Sequence, residues 1–140
     1  MSRGLRVPYY TLIKQGKWGR LMEKFVYFTP IKGYNVNVDR ARIRFRLFEN
    51  GMLEVYPDTE WDFGSNAIDT PAMVLASLAH DMFCYMTDNG LLPWKERYQA
   101  DKYFGELLNK AGAGLSRLWR VPGVMLYSQT IARWRAKDYE

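Results

Sequence analysis

Apolar and polar positions follow three rhythms along this chain. Over residues 1–24 no period holds: Gly4, Pro8, Gly16 and Gly19 interrupt scattered apolar residues, and the segment reads as an irregular arm. From 25 to 56 the period becomes two. Phe25-Val26-Tyr27-Phe28-Thr29 and Tyr34-Asn35-Val36-Asn37-Val38 are rich in strand formers, and Ile43, Phe45 and Leu47 alternate with Arg42, Arg44 and Arg46. That alternation describes a half-buried strand with a basic outer face. Asn50-Gly51 predicts a hairpin turn with Met52 to Tyr56 returning, so these strands form an antiparallel sheet. Residues 58–69 read as a polar, acidic loop.

The third rhythm is helical. From Pro71 to Met86 the chain is almost wholly apolar, with Thr70 as N-cap, Pro71 at the first helical position and a stop near Asn89-Gly90. A helix with that composition is buried on all sides. A second helix is expected over 93–111, with Trp94, Tyr98, Phe104, Leu108 and Ala111 as its apolar stripe and Asp101 within it. A third is expected over 122–137, carrying Val124, Tyr127, Ile131 and Trp134. Strands first and helices afterwards make an α+β domain over 25–140. The expected architecture is therefore a small antiparallel sheet (about 25–56) packed against three helices (about 71–88, 93–111 and 122–137), preceded by an irregular basic arm over 1–24.

One dipeptide breaks the apolar helix. His80, the only histidine among 140 residues, is followed directly by Asp81. Two ionisable neighbours inside such a segment cost stability unless both are paired. Ser77, His80 and Cys84 share a helical face, whereas Asp81 lies about 100° round the axis. The second helix adds Asp101, and the preceding loop adds Asp62 and Ser65. A carboxylate and imidazole group of this kind suits acid and base chemistry, with a neighbouring Asp fixing the imidazole tautomer. His80, Asp62 and Asp101 are also candidate ligands for one divalent metal ion, since a single histidine with carboxylates suits a hard cation. The competing reading is a buried polar network that only fixes geometry.

Counting excludes several chemistries. One histidine builds neither a facial iron triad nor an HExxH zinc site, and no GxSxG elbow, Walker loop or GxGxxG is present. The single cysteine, Cys84, precludes an intramolecular disulfide; it reads as core packing, as do the seven methionines. No apolar run reaches the roughly 18 residues that span a bilayer, and the first residues lack a signal-like apolar stretch. Charge is segregated: residues 1–48 carry +9, from 11 Lys and Arg against two acids, and residues 49–140 carry −4. A basic segment with Tyr9, Tyr10, Trp18 and Phe25 could bind nucleic acid, or dock on protein neighbours.

Several of these residues carry a family resemblance. Trp61-Asp62-Phe63-Gly64-Ser65, then Leu78-Ala79-His80-Asp81-Met82-Phe83-Cys84-Tyr85, then Ala100-Asp101-Lys102-Tyr103-Phe104 and a late Leu126-Tyr127 resemble a phage and prophage family of small proteins of unassigned function. Its marks are a Thr/Trp-Asp-x-Ala/Gly-Ser loop, a His-Asp-x-x-Tyr helix and an Ala-Asp-Arg/Lys helix. The chain departs from it at Glu60-Trp61 and Asn66-Ala67, where the family usually has Gly-Phe and Ile-Pro. The resemblance marks Asp62, Ser65, His80, Asp81, Tyr85 and Asp101, and implies a phage origin, located in the particle or the host cytoplasm. Two functions follow as expectations. The first is a non-enzymatic component of, or accessory to, the phage particle, with the basic arm contacting other phage structural subunits or DNA and the His–Asp cluster pinning the fold. The second is a small metal-assisted or acid/base hydrolase of cell wall or another host polymer, using His80 with Asp62, Asp81 and Asp101.

Overall fold

A computed structural model describes residues 7–13, 18–62 and 71–110. Among these, seven strands form two antiparallel sheets and two helices follow. The strands are β1 (Tyr10–Ile13), β2 (Trp18–Leu21), β3 (Phe25–Phe28), β4 (Val36–Asp39), β5 (Arg44–Leu47), β6 (Met52–Val55) and β7 (Glu60–Asp62). The helices are α1 (Pro71–Asp88) and α2 (Glu96–Lys110).

The larger sheet, in the order β3-β6-β5-β4, is built from the period-two segment. Phe25, Tyr27, Val36, Val38, Phe45, Leu47, Leu53 and Val55 point inward and are buried, while the intervening residues face outward. The β5–β6 hairpin turns through Glu49, Asn50 and Gly51, with Gly51 N–H bonded to Phe48 C=O at 2.9 Å. Only Gly51 takes positive φ there, at 93°, which fits a type I turn closed by a glycine bulge rather than a two-residue turn. A Cβ on Gly51 would stand 2.3 Å from the Thr29 carbonyl oxygen, because the Gly51 carbonyl also accepts the Thr29 amide at 2.9 Å.

The second sheet, β1-β2-β7, corrects the expectation of a single sheet under three helices with an irregular arm. Residues 10–13 and 18–21 are strands, and Trp18 and Leu21 are buried. Strand β1 pairs with β2, and β7, the other partner of β2, belongs to the segment read as a loop, with Trp18 opposite Asp62 and Gly19 opposite Trp61. The two sheets meet where Glu60 N–H bonds Arg42 C=O at 2.9 Å and Thr59 Oγ1 bonds both the N–H and the C=O of Arg44. The α+β class stands. The expected third helix, 122–137, lies outside the described residues, as do the Thr70 cap and Ser65.

Helix α1 is enclosed as its composition requires: every residue from Ala72 to Thr87 is buried. Tyr27 on β3 donates its hydroxyl hydrogen to the Leu75 carbonyl at 2.6 Å, and Phe45 on β5 meets Tyr85 edge-on at 6.1 Å. Gly90, at φ 73°, ends the helix, with Leu91 N–H bonded to Met86 C=O at 2.8 Å and Gly90 N–H to Thr87 C=O at 3.4 Å. This is the Schellman pattern, and it turns the chain directly towards α2. The buried face of α2 runs through Arg97, Ala100, Asp101, Phe104 and Leu108, whereas Tyr98, expected in the stripe, is 56% exposed.

Candidate functional site

Neighbouring residues on a helix point about 100° apart, so His80 and Asp81 face different partners. His80 turns to α2. Its Nε2 lies 2.6 Å from Asp101 Oδ1, and its Nδ1 lies 3.5 Å from Cys84 Sγ one turn further along α1. The Phe104 ring lies against the imidazole at 5.1 Å. Asp81 turns to β7, where its Oδ2 accepts the main-chain N–H of Asp62 at 2.9 Å. Ser77, one turn before Asp81, accepts the indole N–H of Trp61 at 3.0 Å.

The group of residues thus divides between two interfaces of α1. His80, Cys84 and Asp101 form one network between the helices. Ser77 and Asp81 form another, which fastens β7 through Trp61 and the Asp62 amide. Asp62 therefore enters through its backbone, a role available to any residue other than proline, so the residue type carried no sign of it. Tyr85 faces the sheet through Phe45. Among the described residues, no group of three or more His, Cys, Asp or Glu side chains is arranged to hold a metal ion.

Electrostatics explain how a histidine survives at this depth. His80 is 8% exposed and Asp101 1% exposed. Burial by itself pushes the imidazolium pKa down, but Cys84 at Nδ1 and the Asp101 carboxylate at Nε2 outweigh it and raise the pKa to about 10. The ring is then held as a cation against Asp101. In order and contacts, Cys84–His80–Asp101 is a thiol, an imidazole and a carboxylate that orients the imidazole, the elements of an activated nucleophile.

A third buried polar group was not evident in the sequence. Arg97, 2% exposed, forms an ion pair with Asp88, donates Nε–H to Thr87 Oγ1 at 2.8 Å and Nη2–H to the Cys84 carbonyl at 3.3 Å, and stacks on Trp94 at 4.5 Å. It satisfies carbonyl and carboxylate oxygens at the C-terminal end of α1, where cations are favoured. The usable signal was spacing: Arg97 and Asp101 are four residues apart, on one face of α2, and both are charged. No family model, curated protein or solved structure matches this chain. Among the described residues, no helix is long and apolar enough to cross a membrane.

Proposed function

We propose that this chain is a non-enzymatic component of, or accessory to, a phage particle, in which the buried polar residues fix how α1 sits against α2 and β7. The observation that carries the non-enzymatic part is the division of polar residues between two interfaces. Both ring nitrogens of His80 meet side chains of the same chain, and Asp81 and Ser77 are spent on holding β7. A network with its members engaged internally specifies packing. The phage part rests on the resemblance of the Asp-Phe-Gly-Ser, His-Asp-Met-Phe-Cys-Tyr and Ala-Asp-Lys segments. Residues 10–13 and 18–21 do not support a free arm, since they are strands of the fold. Mass spectrometry of purified particles and of assembly intermediates from the source phage tests the proposal: the chain is expected in one or both, and its absence from both overturns it.

One observation favours a second reading. The sequence of contacts from Cys84 through His80 to Asp101 suits acid/base hydrolysis through a thiol, with Cys84 in place of the loop carboxylate. Alkylation by iodoacetamide separates the two. A structural Cys84, 8% exposed, reacts more slowly in the folded protein than in urea. A catalytic one reacts faster when folded and loses that advantage in His80→Gln.

A further inference from the structure

Of the aromatic residues that the basic segment suggests as ligand contacts, Tyr9 is 62% exposed and Tyr10 half-buried. Trp18 and Phe25 are buried, whereas Phe28, at the end of edge strand β3, is 79% exposed. Phe28 pairs with Met52 of β6, and Met52 is in turn bonded across to Phe48 at the end of β5. Phe28 alternates with buried Tyr27, and Phe48 with buried Leu47, so both rings lie on the face opposite the core. They stand two strands apart, roughly 10 Å.

Cations line the same face. Arg46 lies over the Phe48 ring at 4.4 Å, and its Nε–H is buried without a hydrogen-bond partner. The two acids of this face are matched, Asp39 by Arg44 at 3.1 Å and Glu54 by Lys24 at 3.8 Å. Arg46 is in no ion pair among the described residues, so it leaves the face net positive.

We infer that the solvent face of the β3-β6-β5-β4 sheet binds single-stranded nucleic acid, with Phe28 stacking on a base and Arg46 meeting a phosphate. The excess charge is too small for binding through phosphates alone, which needs many contacts. An exposed ring such as Phe28 beside an arginine is what an unpaired strand uses, because its bases have free faces and those of a duplex do not. The inference stands on this sheet face and does not require the chain to belong to a particle.

Fluorescence anisotropy with a labelled oligothymidylate of about 20 nucleotides at low ionic strength tests it, using the full chain. Saturable binding is expected, weakened roughly tenfold or more by Phe28→Ala and kept by Phe28→Tyr. Arg46→Ala is expected to reduce the slope of log affinity against log salt by about one. Tyr98→Ala, on the exposed side of α2, leaves binding unchanged. Since Phe28 is largely solvent-exposed, its removal tests the ring without endangering the core. Failure of the wild-type chain to saturate overturns the inference, as does equal affinity in Phe28→Ala. A duplex of the same length that binds as tightly as the single strand overturns it too, and assigns the face to backbone charge alone.

Discussion

Removing the His80 imidazole leaves the deeply buried Asp101 carboxylate without the ring that now meets it at 2.6 Å. His80→Ala is expected to cost about 3–5 kcal/mol in urea unfolding, the loss typical of a buried pair stripped of one partner. Replacing both residues by leucine should recover part of that loss, because no uncompensated charge remains. The pair also sets a pH window. The His80 pKa rises from 6.5 in the unfolded chain to about 10 when folded, so its contribution is full below pH 6.5 and is lost as pH rises through 10. The melting temperature is expected to fall from pH 7 to 9.5 in the wild type and to stay flatter in His80→Ala. Tyr27 and Tyr103 do not confuse this window. Burial raises both above their ordinary value of 10.0, Tyr103 to about 12, so each costs stability only at still higher pH. At the other interface Ser77→Ala deprives the Trp61 indole of its acceptor and is expected to cost about 1–2 kcal/mol.

Among the elements, those with local partners were the legible ones. Strands β3 to β6 pair within residues 25–55, and their alternation names the buried side correctly at Ile43, Phe45 and Leu47, each 0% exposed. Helix α1 was legible for a different reason, since an apolar run punctuated by Pro71 and Gly90 admits one reading. Strands β1, β2 and β7 were not legible. Each has three or four residues, Gly19 interrupts β2, and β2 finds β7 about 40 positions later, so neither period nor turn chemistry announces the pairing. The face of α2 was read correctly at Asp101, Phe104 and Leu108 and wrongly at Tyr98, where apolarity was taken as the marker of burial. Arg97 and Asp101 are buried through their partners on α1, and Tyr98 is left outside. Two glycines separate strain from crowding. Gly90→Ala meets nothing within 4 Å and is expected to cost only the left-handed backbone strain, about 1–2 kcal/mol. Gly51→Ala carries the same strain plus a clash with the Thr29 carbonyl, and its denaturation midpoint should fall further.

At the scale of the molecule, the candidate residues were identifiable by type, but their grouping was not. Sequence spacing puts Ser77, His80 and Cys84 on one side of α1; which neighbour each one meets depends on where β7 and α2 pack, and that is settled by contacts distant in the chain. The segregation of charge was legible as a number and became meaningful only when the strands sorted Phe28 to the outside and Phe25 to the inside. The pairing of Trp18 with Asp62 has a consequence in time as well. Joining β2 to β7 closes a long stretch of chain, whereas the β4–β5 and β5–β6 hairpins close short ones, and loop closure is the slow part of building a sheet. The N-terminal sheet should therefore assemble last and open first. In native-state hydrogen exchange the β2–β7 amides, those of Gly19 and Trp61 among them, are expected to exchange through a lower-energy opening than those of Phe45 and Leu47. In refolding, Trp61 fluorescence should settle only after the sheet beneath α1 has formed.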